Sequence, residues 1–99
     1  MNMEKTINGN RMELALEGKI DAVTAPKFEA EVSEQLDGIT ELDIDLRDVE
    51  YISSAGLRAL LYLQQMLDEV DGTLTVRNVP EVVMSVFEVT GFDDIVKVV

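Results

Sequence analysis

Tyr51-Ile52-Ser53-Ser54-Ala55-Gly56-Leu57-Arg58-Ala59-Leu60-Leu61 is where the chain changes period. Ahead of it, Leu42, Ile44 and Leu46 alternate with Asp43, Asp45 and Arg47, which predicts a strand with one buried face over Leu42 to Leu46. Behind it, Leu57, Leu60, Leu61, Leu63, Leu67 and Val70 recur at helical spacing and predict a helix from about Ser54 to Glu69. Between the two, a Ser-Ser pair followed by Ala-Gly presents a hydroxyl where a helix begins. The N–H groups of a first turn have no intrahelical partner and the macrodipole is positive there, so the place suits a capping hydroxyl and tolerates a phosphate.

Upstream, Glu4 to Asn8 and Asn10 to Glu17 flank Asn8-Gly9-Asn10, a hairpin signal, and Met12, Leu14 and Leu16 alternate with polar neighbours. Gly18-Lys19-Ile20-Asp21 is expected to lead out of the sheet. Thr24-Ala25-Pro26 predicts a helix start with Thr24 as the cap, and Ala25, Phe28, Val32 and Leu36 line its buried side. Downstream, Asp71-Gly72 marks a turn and Thr73 to Arg77 a strand with Leu74 and Val76 inward. Strand, helix and strand in that order imply a parallel pair with a right-handed crossover. Pro80 opens a third helix, Gly91 closes it, and Ile95 to Val99 is a last short strand.

Asp43 and Asp45 would be costly to bury, so one side of the sheet is expected to face solvent. The fold class that follows is α+β, a mixed four- to five-stranded sheet in the order ββαβαβαβ with helices mainly on one face.

The 99 residues, 46% of them hydrophobic, make one globular domain spanning 1–99. No cysteine and no histidine are present, which removes disulfides, thiol chemistry, the commonest general base and the commonest metal ligand. Twenty acidic residues against eight basic ones give a formal charge of −12. Such a surface repels nucleic-acid phosphate and anionic lipid, so neither is expected as a partner. It suits a partner with a basic face, although acidity also serves plain solubility. No apolar run approaches the ~20 residues of a membrane helix. The N-terminus lacks the basic and apolar regions of a signal peptide, so a cytoplasmic protein is expected.

The order of elements and three segments resemble the STAS domain, and within it the stand-alone bacterial anti-sigma factor antagonists. The segments are Gly18-Lys19-Ile20-Asp21-Ala22, Leu46 to Leu57, and Thr90-Gly91-Phe92-Asp93. The resemblance covers nearly the whole chain. In that family the serine two places before the motif glycine is phosphorylated by a kinase that is itself the anti-sigma factor; counting back from Gly56, that serine is Ser54. The unmodified antagonist binds the anti-sigma factor and frees the sigma factor, the phosphorylated form lets go, and a PP2C-type phosphatase resets it. The resemblance thus implies a non-enzymatic binding module without cofactor or metal, monomeric when the partner is absent. Two features depart from the family. Ser53 stands where Asp is frequent, which makes Ser53 a second candidate for modification. With Val99 as the last residue, the usual C-terminal helix is expected to be short or absent.

Ser54 has two compatible readings, a helix N-cap and a regulated hydroxyl. Arg58, Tyr62, Gln65 and Glu69 follow it at steps of four, four, three and four, either a plain solvated stripe or a partner surface. Asp21 is a turn residue that the resemblance links to kinase docking, and Gly56 completes the motif. Asp43, Asp45 and Asp48 raise an enzymatic alternative, a carboxylate cluster for Mg²⁺, although strand alternation explains the first two without a metal. A serine nucleophile is disfavoured, since there is no histidine, no lysine nearby and no Gly-x-Ser-x-Gly. A third reading keeps the fold but makes the chain a docking subunit of another signalling or lipid-transport assembly.

Overall fold

The computed structural model describes all 99 residues, Met1–Val99. Along the chain run β1 (Asn2–Asn8), β2 (Arg11–Ile20), α1 (Ala25–Ser33), β3 (Glu41–Ile52), α2 (Ser54–Asp68), β4 (Thr73–Arg77), α3 (Glu81–Thr90), a 3-10 turn (Phe92–Asp94) and β5 (Lys97–Val98). One mixed sheet in the order β1-β2-β3-β4-β5 holds all the strands. The hairpin β1–β2 is antiparallel and every later pair is parallel. The expected α+β class and element order therefore hold.

The hairpin closes through Gly9-Asn10, because Asn8 pairs with Arg11 and Gly9 takes φ +63°. That sign is easy for glycine and strained for most other residues. Period two then sorts each strand. Met12, Leu14 and Leu16 of β2, Leu42, Ile44 and Leu46 of β3, and Leu74 and Val76 of β4 are buried on one face. They meet Ala25, Phe28 and Val32 of α1, Ala59, Leu60, Leu63 and Leu67 of α2, and Val83 and Phe87 of α3 in a single apolar cluster. All three helices thus cover the same side and leave the other open. No helix is long and apolar enough to cross a membrane.

Several local expectations change. β3 runs on to Ile52 instead of ending at Leu46, and β2 keeps pairing through Ile20 instead of leaving at Gly18. The register explains why alternation hid this. Between Ala15 and Glu17, and again between Gly18 and Lys19, β3 inserts an extra residue, so Asp45, Asp48, Val49 and Tyr51 face Ala15, Glu17, Gly18 and Lys19. Bulges of this kind turn the strand locally, and the buried positions become Leu46, Val49 and Ile52, spaced by three. Asp45 helps hold the first bulge, its Oδ1 accepting from the Arg47 N–H at 2.9 Å. Thr24 precedes α1 but does not cap it with its side chain; its hydroxyl bonds back to the strand end. Within the long helix Leu57 and Leu61 are half-buried, and Val70, expected to continue its apolar side, lies past its end and is exposed. The last strand shrinks to Lys97–Val98 because the Ile95 and Val96 N–H groups both bond back to the Phe92 carbonyl and stay in the turn.

The larger correction concerns Asp43. It lies on the open face yet is only 5% exposed. Arg77 donates from Nε to Asp43 Oδ1 at 2.6 Å and from Nη2 to Oδ2, while Arg11 donates from Nη2 to Oδ2 at 2.6 Å. Two guanidiniums thus replace water around the carboxylate, which is the condition under which a charge can be buried. The Asp43 hydrogen bond raises the pKa of Arg77, and the Glu13 hydrogen bond, with Asp43 adding to it, raises that of Arg11. Asp43 is therefore committed to arginine, and Asp43, Asp45 and Asp48 do not converge as a metal cluster would.

Candidate functional site

The site is built where the parallel strands end. Ile20 and Ile52 are the last paired residues of β2 and β3, and the Ser53 N–H donates to the Ile20 carbonyl at 2.9 Å. This bond lays the Asp21 loop beside the start of α2. Ser53 is the only residue between β3 and α2 and keeps an extended backbone, φ −95° and ψ 177°. Its carbonyl accepts the first helical bond, from Leu57 N–H at 3.0 Å, and its Oγ accepts from Gly56 N–H at 3.4 Å.

Ser53, not Ser54, is thus the N-cap. The capping reading of Ser54 is corrected: its backbone is already helical, where a side chain points outward. Ser54 is the first residue of α2 and is exposed, whereas Ser53 is half-buried. The two adjacent hydroxyls are therefore unequal. One is tied into the helix start and the other faces solvent.

Gly56 is buried rather than displayed, so any part it takes in docking is indirect. A Cβ there would lie 2.6 Å from Ile52 Cγ1, 2.9 Å from Ile20 Cγ2 and 3.0 Å from the Ile20 carbonyl oxygen. The glycine lets α2 start hard against the ends of β2 and β3, and so sets where Ser54 stands. Gly56→Ala is expected to cost about 1–3 kcal/mol, as overpacking commonly does. Denaturant unfolding checks this, and unchanged stability would mean that the helix start can retreat freely.

Asp21 organises its own loop. Its Oδ1 accepts from Val23 N–H at 3.0 Å and Thr24 N–H at 3.1 Å. The Thr24 hydroxyl in turn accepts from Asp21 N–H at 2.9 Å and donates to the Lys19 carbonyl at 2.8 Å. The backbone N–H of Thr24, then that of Val23, hold the Asp21 carboxyl below its ordinary pKa. Asp21 thus shapes the loop next to Ser53 whatever else it touches.

Arg58, Tyr62, Gln65 and Glu69 are all exposed, and with Ser54 they form one stripe along α2. Tyr62 is 45% exposed, and at the strand end Tyr51 is 47% and Val23 84% exposed. Sequence reasoning passed over Val23 and Tyr51 as surface contributors. Val23 falls in a loop outside any periodic pattern, and Tyr51 follows the second bulge, which reset the strand's phase. The assembled region offers a hydroxyl without a neighbouring base, aromatic and aliphatic anchors, and a lone guanidinium. Tyrosine and arginine are the residue types enriched where protein partners make their strongest contacts.

Comparison with known proteins bears on this arrangement. The family model described as "Mlab, STAS domain" matches residues 3–97. BtrV of Bordetella bronchiseptica, provisionally named an anti-sigma factor antagonist, is 38% identical over 78 residues, covering 78% of this chain and 67% of its own. The anti-sigma-B factor antagonist of Bacillus subtilis is 28% identical, covering 99% of this chain and 90% of its own. Among solved structures, the anti-sigma factor antagonist SpoIIAA in its unphosphorylated form superposes with a TM-score of 0.88 at 17% identity, over 99% of this chain and 88% of its own. The phosphorylated form from Bacillus gives 0.79 at 16% identity, over 99% and 91%. At those identities the structural likeness speaks for the fold.

Proposed function

This chain belongs to the STAS domain family, and from that premise we propose that it is an anti-sigma factor antagonist whose docking is switched off by phosphorylation of Ser54. The observation that carries this reading is the unequal serine pair. Ser54 is exposed at the first position of α2, free of the capping duty that Ser53 performs. The relatives' names supply the partner class, an anti-sigma factor. The unmodified chain binds an anti-sigma factor that is also a serine kinase, and so releases a sigma factor. The modified chain dissociates, and a PP2C-type phosphatase restores it. The chain acts in the cytoplasm, as a monomer between encounters, and performs no catalysis of its own.

Docking uses the stripe from Ser54 through Arg58, Tyr62 and Gln65 together with the Asp21 loop. The Asp21 loop meets the start of this stripe where Ser53 N–H joins the Ile20 carbonyl, and the stripe runs from there along α2. Incubation of the full chain with its cognate kinase and ATP, followed by mass mapping, is expected to find one phosphate, on Ser54. Ser54→Ala should remain unmodified. A phosphate on Ser53, or none on either serine, would overturn the assignment.

A further inference from the structure

We infer that Arg58 captures the phosphate in cis: once Ser54 is modified, the Arg58 guanidinium one helical turn away pairs with it and is withdrawn from the docking surface. The inference rests on Ser54 being the modified residue.

The first support is position. Ser54 and Arg58 are four residues apart on α2 and both are exposed. Residues at that spacing are neighbours on a helix surface, and an anion placed N-terminal to a cation at i, i+4 is the favourable order. The second is that Arg58 has no partner. Every ion pair in the molecule involves Arg11 or Arg77. The helix positions within reach of Arg58 are Ser54, Ala55, Leu61 and Tyr62, none of them a carboxylate.

The third is the charge order of the helix. α2 has no acidic residue in its first turn and no basic residue in its last. Arg58 sits near the positive end of the dipole, while Asp68 and Glu69 lie at the negative end. That is the reverse of the stabilising order. A dianion on Ser54 corrects the N-terminal half of this pattern, because it meets both the dipole and the guanidinium. Arginine also matches phosphate geometry bidentately, which lysine does not. Lys19, exposed and paired in register with Tyr51, is another cation at this end of the sheet and serves as the control.

The consequence is regulatory. Modification removes two recognition elements at once, since the hydroxyl is esterified and the cation beside it is neutralised. The modified stripe then offers a partner neither the Ser54 hydroxyl nor a free positive charge.

The test uses the full chain with phosphoserine incorporated at position 54 during translation, so that neither kinase nor partner is needed. The second ionisation of phosphoserine, normally near a pKa of ~6, is followed by phosphorus NMR. In the otherwise wild-type chain it is expected to lie about half a unit, or threefold in proton affinity, below that of the Arg58→Gln form. The gap should shrink at high salt, and the Arg58 Nε–H resonance should become protected only in the phosphorylated chain. Arg58→Lys should recover part of the shift, and Lys19→Gln should leave it intact. Equal values with and without Arg58, or loss of the shift on removing Lys19, would overturn the capture. Failure of the kinase to modify Ser54 would instead defeat the underlying functional reading, so the two failures are distinguishable.

Discussion

Ser54→Asp is expected to weaken binding to the anti-sigma factor by at least about 100-fold, which corresponds to ~2.7 kcal/mol, while the domain stays fully folded. The two halves of this expectation come from different places. Inside the molecule, position 54 is the exposed first residue of α2, where a carboxylate meets free N–H groups and the positive end of the dipole. That interaction contributes about 0.3–1 kcal/mol in favour of folding, so the melting temperature should hold or rise by a few degrees. At a packed interface the same charge must shed its water, which costs several kcal/mol unless a cation meets it.

The neighbouring substitutions sharpen the test. Ser54→Ala removes a hydroxyl that caps nothing, so stability should change by less than about 0.5 kcal/mol and binding should persist. Ser53→Ala removes the acceptor for Gly56 N–H and should cost toward the low end of the usual ~0.5–2 kcal/mol for a cap, since that bond is 3.4 Å long. Calorimetric binding and thermal melts on the three variants decide the matter. Equal affinity for Ser54→Asp and the wild type would sink the switch, and a larger stability loss for Ser54→Ala than for Ser53→Ala would sink the assignment of the cap.

The second large effect concerns stability. Arg77→Ala should destabilise the domain, lowering the melting temperature by roughly 5–10 °C. The reason is an asymmetry of exposure. The Asp43 side chain is 7% exposed, whereas those of Arg77 and Arg11 are 43% and 37% exposed. Deleting Arg77 leaves the carboxylate with one donor group in place of two, while Arg11 still covers part of its access to water. Deleting Asp43 leaves two guanidiniums that can rehydrate, so Asp43→Asn should cost less than Arg77→Ala. Arg11→Ala should also cost less, because Arg11 gives Asp43 a single bond and divides its donors with Glu13. Replacing Asp43 and Arg77 together by leucine and methionine should recover most of the loss, since no unpaired charge remains to be buried. A double-mutant cycle by urea unfolding measures the coupling, and a coupling below about 0.5 kcal/mol would show the pair to be ornamental. These variants leave the Ser54 stripe untouched, so any change in partner binding beyond the stability effect would be unexpected.

The features legible in the residues alone share one property: a few neighbouring side chains determine each of them. Leu42, Ile44 and Leu46 declare a one-sided strand, Gly9 declares a turn, and the leucines of α2 declare a helix with one wet stripe, which the structure bears out at Arg58, Tyr62, Gln65 and Glu69. The Ser-Ser-Ala-Gly junction likewise announces a helix start with a hydroxyl on it. Tertiary structure decided what depends on partners distant in the chain. The extension of β3 to Ile52 needs β2 alongside to absorb two bulges, which local alternation reads as the end of a strand. The burial of Asp43 needs Arg11, 32 residues before it, and Arg77, 34 after it, brought in by the adjacent strands. The division of labour between Ser53 and Ser54 needs the Ile20 carbonyl to fix the helix's first residue. Period and propensity are properties of neighbours in the chain, whereas register, charge burial and the choice between two adjacent hydroxyls are settled by neighbours in space.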